Sequence, residues 1–213
     1  MKKKKGVVNR KRVLNDPVFE LTRQNNAEFS RACKANRFLR HAFVLRLPNR
    51  ADRYVSGRLT KIMCKILQSD QVNDRGERRV TQGVLSMLEG FNFNRATSLQ
   101  DVFRAPYSIT FDREAKQVTI SFPPFIPKAM IHTASGANAF KLTAMVASLH
   151  FEKECIPVEP VQTDLLDISL QLHKNLQLQL PVIEQQPDHT VIVVLGIEET
   201  LSRLIKCIMR WLW

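Results

Sequence analysis

Apolar residues recur along this chain with two different periods, and the change between them divides it. Val18, Leu21, Phe29, Ala32, Leu39 and Phe43 are separated by threes, fours and their sums, so they share one face of a 3.6-residue helix. Asn25 and Asn36 are the polar interruptions, and Arg23, Arg31, Lys34, Arg37 and Arg40 lie around the opposite side. Asn15 or Asp16 ahead of Pro17 supplies a start, because a short polar side chain accepts from free N–H groups and proline fits a first turn. Pro48 supplies the end, since proline lacks a donor and biases its predecessor away from helix. The spacing therefore predicts a long amphipathic helix over about 16–47. A second is predicted over 53–68, with Val55, Leu59, Ile62, Met63, Ile66 and Leu67 as its apolar stripe and Arg58, Lys61 and Lys65 on the other side. The short polar connection makes an antiparallel helical pair the natural packing. After the turn residues Asn73-Asp74-Arg75-Gly76, Val80, Val84, Leu85 and Leu88 predict a shorter third helix closed by Gly90.

Beyond Gly90 the period falls to two. Phe91 and Phe93 alternate with Asn92 and Asn94, and 107–111 alternates into Asp112-Arg113-Glu114 and then 117–122, which predicts a hairpin. Pro123, Pro124 and Pro127 interrupt regular pairing, and Ser135-Gly136 marks a further loop. More strands are expected at 140–151, 166–172, 176–180 and 191–196. In the second of these Leu166, Ile168, Leu170 and Leu172 point one way, as in a sheet with one wet face. Short strands at this spacing predict an antiparallel sandwich or partial barrel. The last thirteen residues satisfy both periods: Leu201, Leu204, Ile205, Ile208 and Leu212 suit a helix, whereas Ile205, Cys207, Met209, Trp211 and Trp213 share one strand face. A closing strand, a docked helix and an exposed anchor are all open, with docking on the core preferred.

Charge changes the picture more than composition does. The 213 residues are 44% apolar and 24% charged, which is ordinary for a globular protein. The net charge is +12, yet residues 1–106 carry 23 basic and 9 acidic side chains while residues 107–213 carry 9 and 11. A basic half of this kind can meet phosphates, an anionic lipid surface or an acidic protein. Arg31, Lys34, Arg37 and Arg40 give one positive stripe and Arg58, Lys61 and Lys65 another, and with Arg75, Arg78 and Arg79 they could neutralise several phosphates. No aromatic residue interleaves the charged faces, and Phe29 and Phe43 are expected in the core, so nucleic-acid binding would run through the backbone and be salt-sensitive.

Signatures of chemistry are sparse. The seven glycines form neither G-x-G-x-x-G nor G-x-x-x-x-G-K, which argues against dinucleotide and P-loop enzymes. His41, His132, His150, His173 and His189 lie far apart and no H-E-x-x-H or G-x-S-x-G occurs. The acid pairs Asp164 with Asp167 and Glu152 with Glu154 read as solvated surface. Cys33, Cys64, Cys155 and Cys207 are too dispersed for a zinc site or a disulfide framework, and Cys33 and Cys64 read as reduced, buried small hydrophobes. The opening Met1-Lys2-Lys3-Lys4-Lys5-Gly6 is followed by no apolar run, and no apolar stretch is long enough to span a bilayer, so a cytoplasmic location is expected.

The stretch Thr22-Arg23-Gln24-Asn25-Asn26-Ala27-Glu28-Phe29, followed by Ala32, Lys34, Ala35 and Leu39-Arg40, resembles the opening of a family of uncharacterised bacterial proteins of similar length. Arg58-Leu59-Thr60-Lys61, Asp74-Arg75-Gly76-Glu77-Arg78, Leu88-Glu89-Gly90-Phe91-Asn92-Phe93-Asn94 and Leu195-Gly196-Ile197-Glu198 extend the resemblance over most of the chain. It implies basic helices followed by strands and brings no activity or catalytic residue with it. The ending departs from the family's pattern of a turn and a final apolar strand, because Glu199-Thr200-Leu201-Ser202-Arg203 leads into a Trp-rich tail.

The expected fold is α+β, with N-terminal amphipathic helices packed against a C-terminal antiparallel β-sandwich-like region. Residues 1–15 are read as a basic flexible tail, 16–90 as a basic helical segment and 91–213 as the β region. The expected function is that of a non-enzymatic interaction or structural module with a protein partner. Its alternative is binding of nucleic acid or another polyanion through Arg31, Lys34, Arg37, Arg40, Arg58, Lys61 and Lys65. No catalytic, cofactor-binding or metal-ligating residue is assigned.

Overall fold

The computed structural model describes residues 9–46, 52–133, 137–183, 189–199 and 206–212. The helical part comprises α1 (Arg10–Asn15), α2 (Glu20–Ala42) and α3 (Val55–Gln68). Short α4 (Leu99–Val102) and α5 (Pro127–Met130) lie among the strands. The strands are β1 (Ser108–Asp112), β2 (Gln117–Phe122), β3 (Ala139–His150), β4 (Glu154–Pro157), β5 (Val161–Gln162), β6 (Leu166–Asp167), β7 (Leu176–Pro181), β8 (Thr190–Glu199) and β9 (Lys206–Leu212). Among the described residues they form two antiparallel sheets. The larger runs β4-β3-β8-β9, with β5 and β6 also pairing with β3, and the smaller runs β1-β2-β7.

The long pair β3–β8 lies at the centre, in register from Phe140 opposite Glu199 to Leu149 opposite Thr190. Side chains of successive strand residues point to opposite faces, so each strand serves two cores. Met145, Ala147 and Leu149 of β3, with Ile192 and Val194 of β8 and Met209 of β9, face the helices. There they meet Ala32, Ala35, Leu39, Leu59, Met63 and Ile66. Leu142, Ala144 and Val146, with Val193, Leu195 and Ile197, face the smaller sheet and meet Val118, Ile120, Leu178 and Leu180. The molecule is thus three layers: helices, central sheet and outer sheet. Phe103 closes one end of the sheet-on-sheet core, edge-on to both Phe122 and Phe125 with ring centroids 5.8 Å apart in each case.

The α+β class and the helices-then-sheets order agree with the sequence. The hairpin is β1–β2, paired from Ser108 opposite Ser121 to Asp112 opposite Gln117. The ambiguous C-terminal segment is a strand over its described part, β9, paired with β8, and buried Met209 lies on the helix side of the sheet. Residues 1–8 of the basic tail, the Ser135-Gly136 loop and the alternatives for 201–205 and Trp213 lie outside the described residues. Residues 10–15 of that tail form α1, started by Asn9, whose side chain accepts from the Lys11 N–H at 2.7 Å.

Three expectations are corrected. The helix predicted over 80–88 is two 3₁₀ turns, Val80–Gln82 and Leu85–Leu88, split at Gly83. There the backbone passes so close to α3 that a Cβ would stand 2.0 Å from the Ile66 carbonyl oxygen. The strand predicted over 166–172 stops at Asp167, because the following backbone bonds elsewhere: the Lys128 N–H donates to Ser169 O, and Phe125 and His173 exchange N–H to O bonds. Leu170 and Leu172 are consequently exposed. Finally, only the second half of the α2 stripe is buried. Ala32, Leu39 and Phe43 are in the core, whereas Val18, Leu21 and Phe29 are exposed.

The contact at Gly83 yields a prediction. Gly83→Ala forces the carbonyl of Ile66 or the 3₁₀ turns to move, at a cost of about 2–3 kcal/mol in urea unfolding, whereas Gln82→Ala at the neighbouring exposed position costs less than about 0.5 kcal/mol.

Candidate functional site

The seven cations singled out in the sequence divide into two groups. Arg31, half-buried on α2, is aimed at the loop that follows α3: its Nη1 donates to Gly76 O at 2.5 Å and its Nη2 lies 3.2 Å from Glu77 Oε2. Lys34 donates through Nζ to Glu152 O in the β3–β4 turn, with the Phe38 ring beneath it. Arg58 is the most committed of the seven. It pairs with Asp52 at 2.7 Å, donates to Asn92 O at 2.7 Å and Phe93 O at 3.1 Å, and lies over the Phe91 ring at 4.9 Å. These three hold elements together. Arg37, Arg40, Lys61 and Lys65 are exposed, and among the described residues none of the four has an ion-pair or hydrogen-bond partner.

Helical spacing explains the division. On α2, Arg31 and Lys34 flank the buried stripe on the side of the 70–79 loop and the β3–β4 turn, whereas Arg37 and Arg40 fall on the outward and α3-facing sides. On α3, Arg58 flanks the stripe toward residues 91–93, and Lys61 points away from the core. The helices are locked together by Asn36, buried in the seam, whose Nδ2 donates to Ser56 O, Ser56 Oγ and Thr60 Oγ1. Beside Arg58 and Lys61 an open hollow of about 570 Å3 is lined also by Phe91, Asn92, Arg95 and Asp101. The Asp101 carboxyl is held below its usual range by hydrogen bonds from the Ser98 side chain and backbone.

The 70–79 loop is built by carboxylates that periodicity does not reveal. Glu28, buried on α2, accepts from the Gly76 N–H at 2.8 Å and lies 3.9 Å from Arg78 Nη1. Gly76 has φ +92°, and a Cβ there would meet the Gln24 side chain at 2.7 Å. Arg75 donates to Asn25 Oδ1, and Arg79 lies 3.9 Å from Glu152 Oε2. Arg75, Arg78 and Arg79 are therefore turned onto the protein rather than left for phosphates. At the root of the loop, buried Asp70 accepts from the N–H groups of Val72 and Arg79 at 2.8 Å each and from the Asn73 side chain at 2.9 Å. Burial pushes its carboxyl up, but these bonds and the Asn73 N–H together outweigh burial and bring it down to about 2 from an ordinary 3.8.

The histidines were assigned no role from the sequence, and the structure brings two of them together. Ser148 Oγ lies 3.0 Å from His189 Nδ1, and the His150 and His189 rings are 5.9 Å apart. His150 Nδ1 accepts from the Glu152 and Lys153 N–H groups. A Ser–His contact is how a hydroxyl nucleophile is activated, but Ser148 is 1% exposed and the contact ties β3 to the residue ahead of β8. Cys33, Cys64 and Cys155 are free, and Cys33 and Cys64, expected to be buried, are half-buried instead. Burial pushes the Cys155 thiol up to about 11 against the opposing charge of Arg46, and burial likewise raises Cys64, so neither is an activated nucleophile. Among the described residues no group of three or more His, Cys, Asp and Glu could hold a metal ion, and no helix is long and apolar enough to cross a membrane. Compared with known proteins, the chain matches no family model and no curated protein sequence.

Two predictions follow from this geometry. Since the folded Asp70 carboxyl lies below its unfolded value, its stabilisation is complete above about pH 4 and is lost as the pH falls through about 2. Asp70→Asn removes that acid-limb dependence, seen as urea midpoints that change less over the same range. The division of the cations is read by substitution: Arg31→Ala lowers unfolding stability by about 1–3 kcal/mol, whereas Arg37→Ala changes it by less than about 0.5 kcal/mol.

Proposed function

We propose that this protein is a non-enzymatic interaction module that presents the outer face of its helical layer to an acidic protein partner, in the cytoplasm. The observation that carries this reading is the set Arg37, Arg40, Lys61 and Lys65, all exposed and unpartnered among the described residues. A face that is only solvated mixes both signs of charge. Here α3 contains no acidic residue, and the two on α2, Glu20 and Glu28, lie toward its N-terminal end, away from this patch. Arg40 lies on the α3-facing side of α2 and Lys61 points outward from α3.

A second reading, binding to a nucleic-acid backbone, draws on the same four side chains, because phosphates are read by cations with no further pocket. Fluorescence anisotropy against labelled polyglutamate, duplex DNA and RNA over about 50–200 mM salt separates the two. The acidic-partner reading expects polyglutamate to bind more tightly than either nucleic acid. It also expects Arg37→Glu, Arg40→Glu, Lys61→Glu and Lys65→Glu together to weaken that binding at least about tenfold. Tighter binding to nucleic acid, with log K falling against log salt at a slope near about −4, selects the second reading. No binding to any of the three at the lowest salt overturns both.

A further inference from the structure

A strand at the margin of a sheet turns every second N–H and C=O outward and so offers them to another strand. The edge strand β9 of the central sheet is met at Met209, whose C=O accepts from the Gly90 N–H at 3.0 Å and whose N–H donates to Phe91 O at 3.1 Å. In the outer sheet, β7 ends in Pro181, which carries no donor, and β5 lies alongside it. β1, the other edge of that sheet, differs. Among the described residues it pairs with β2 alone, and no loop backbone bonds to its far side. The usual devices that blunt an edge are missing as well, since Ser108-Ile109-Thr110-Phe111 contains no charge, proline or glycine. The one charge, Asp112, closes the strand and is taken up by the turn, its Oδ1 accepting from the Glu114 and Ala115 N–H groups at 2.9 Å each.

The side chains on this edge are unevenly covered. Ser108, Thr110 and Asp112 are exposed, opposite Ser121, Thr119 and Gln117 of β2. Ile109 and Phe111 join the sheet-on-sheet core from its margin and stay half-buried, whereas Val118, Ile120 and Phe122 of β2 are buried. A strand laid antiparallel along β1 would cover Ile109 and Phe111 further and take up the outward backbone groups. The sequence of β1 itself suits that place. With a two-fold axis at Thr110, Ile109 lies opposite Phe111 of the second copy, Thr110 meets its own counterpart, and Ser108 lies opposite Asp112 of the second copy. Apolar, hydroxyl and hydroxyl-to-carboxylate pairs of these kinds stabilise antiparallel ladders, and each recurs in both halves by symmetry. No two like charges are opposed along the strand. The charge distribution favours the same surface, since residues 107–213 carry 9 basic and 11 acidic side chains and the basic helices lie on the other face of the central sheet. A copy seated on the helical layer would set two basic surfaces together, and one seated at β1 does not.

We propose that β1 is the pairing edge of a homodimer, in which two copies join antiparallel about Thr110 and their outer sheets continue into one. This surface uses none of the four cations of the acidic-partner reading and stands without it. The strand has five residues, so the interface is small and the dimer is a reversible one, forming on the order of tens of micromolar. The test is sedimentation velocity of the purified full chain over about 1–300 µM. The expected result is a monomer–dimer equilibrium that Thr110→Lys weakens at least about tenfold, because it sets two ammonium groups across the axis. Thr110→Glu alone weakens it likewise, and an equimolar mixture of the two variants restores dimerisation. Ser108→Lys, opposite Asp112 of the second copy, strengthens it about threefold, and Ser108→Glu weakens it. The Ser108 pair reads the same register if the Thr110 variants lose their far-UV circular dichroism. A monomer over the whole concentration range overturns the proposal. So does a dimer that folded Thr110→Lys leaves unchanged, which assigns the contact to another surface. Failure of the Lys and Glu mixture to dimerise overturns the two-fold pairing about Thr110.

Discussion

The structure depends on covering both faces of one strand pair. β3 and β8 carry apolar side chains on alternate positions pointing both ways, so neither face can be left to water. The helices take one face and the sheet β1-β2-β7 takes the other. Antiparallel strands commonly alternate apolar and polar because one face is wet. Here the alternation is replaced by a near-continuous apolar run through Met145-Val146-Ala147 and Ile192-Val193-Val194-Leu195, the mark of a strand buried on both sides. The outer sheet keeps the ordinary pattern, with Val118, Ile120 and Phe122 inward and Thr119 and Ser121 on the other face. Small residues Ala32, Ala35 and Ala42 line the buried side of α2 and let the helix lie close to the sheet. Because α2 and α3 are fixed by that inner face, their outer faces are free to carry charge without cost to the core.

That freedom explains why seven cations of similar sequence context end in different roles. A guanidinium presents several donors in a plane and satisfies loop carbonyls in pairs, as Arg58 does with Asn92 and Phe93 and Arg31 does near Gly76. Each sits at the margin of the buried stripe, where loop backbone crosses the helix and its carbonyls need donors. A position further around the helix has no backbone within reach, and Arg37, Lys61 and Lys65 stay in solvent. Asp52 serves two parts at once, pairing with Arg58 and accepting from the Arg95 N–H at 2.7 Å. Together Arg58 and Asp52 fasten the start of α3 to residues 92–95, the joint between the helical and β parts of the chain.

The fold class, the two main helices, the hairpin and the long strands were legible because each rests on a local period sustained over several residues. What was not legible depended on contacts across the chain. The 80–88 segment has helical spacing, yet Gly83 must lie against the Ile66 carbonyl, a constraint set by a residue seventeen positions away. The alternation in 166–172 is sound as a pattern, but the Phe125 loop takes its backbone groups. Of the candidate site, the sequence identified which residues are cationic and which helix carries them. It could not separate Arg31, Lys34 and Arg58 from the rest, because their partners Gly76, Glu152 and Asn92 lie 45, 118 and 34 residues away. Glu28, Asp52 and Asp70 were assigned no role for the same reason.

The exposed stripe on α2 has a geometric origin in two unequal helices. α2 has 23 residues and α3 has 14, so at 1.5 Å per residue one exceeds the other by roughly 13 Å, more than two turns. A helix end that projects without packing ordinarily frays, since its first N–H groups lack partners and its residues gain entropy by leaving the helix. This end is held. Pro17 and the Asp16 side chain, which accepts from the Val18 N–H at 3.0 Å, begin the preceding 3₁₀ turn. Arg23 donates to both Val13 O and Asp16 O and draws α1 back against α2. Glu28 and Arg31 then clamp the 70–79 loop along the flank. Buried and half-buried polar contacts thus rigidify a segment that adds nothing to the core. Their combined effect is to keep Leu21 and Phe29 in helical register at an exposed helix end, which a frayed terminus would not maintain.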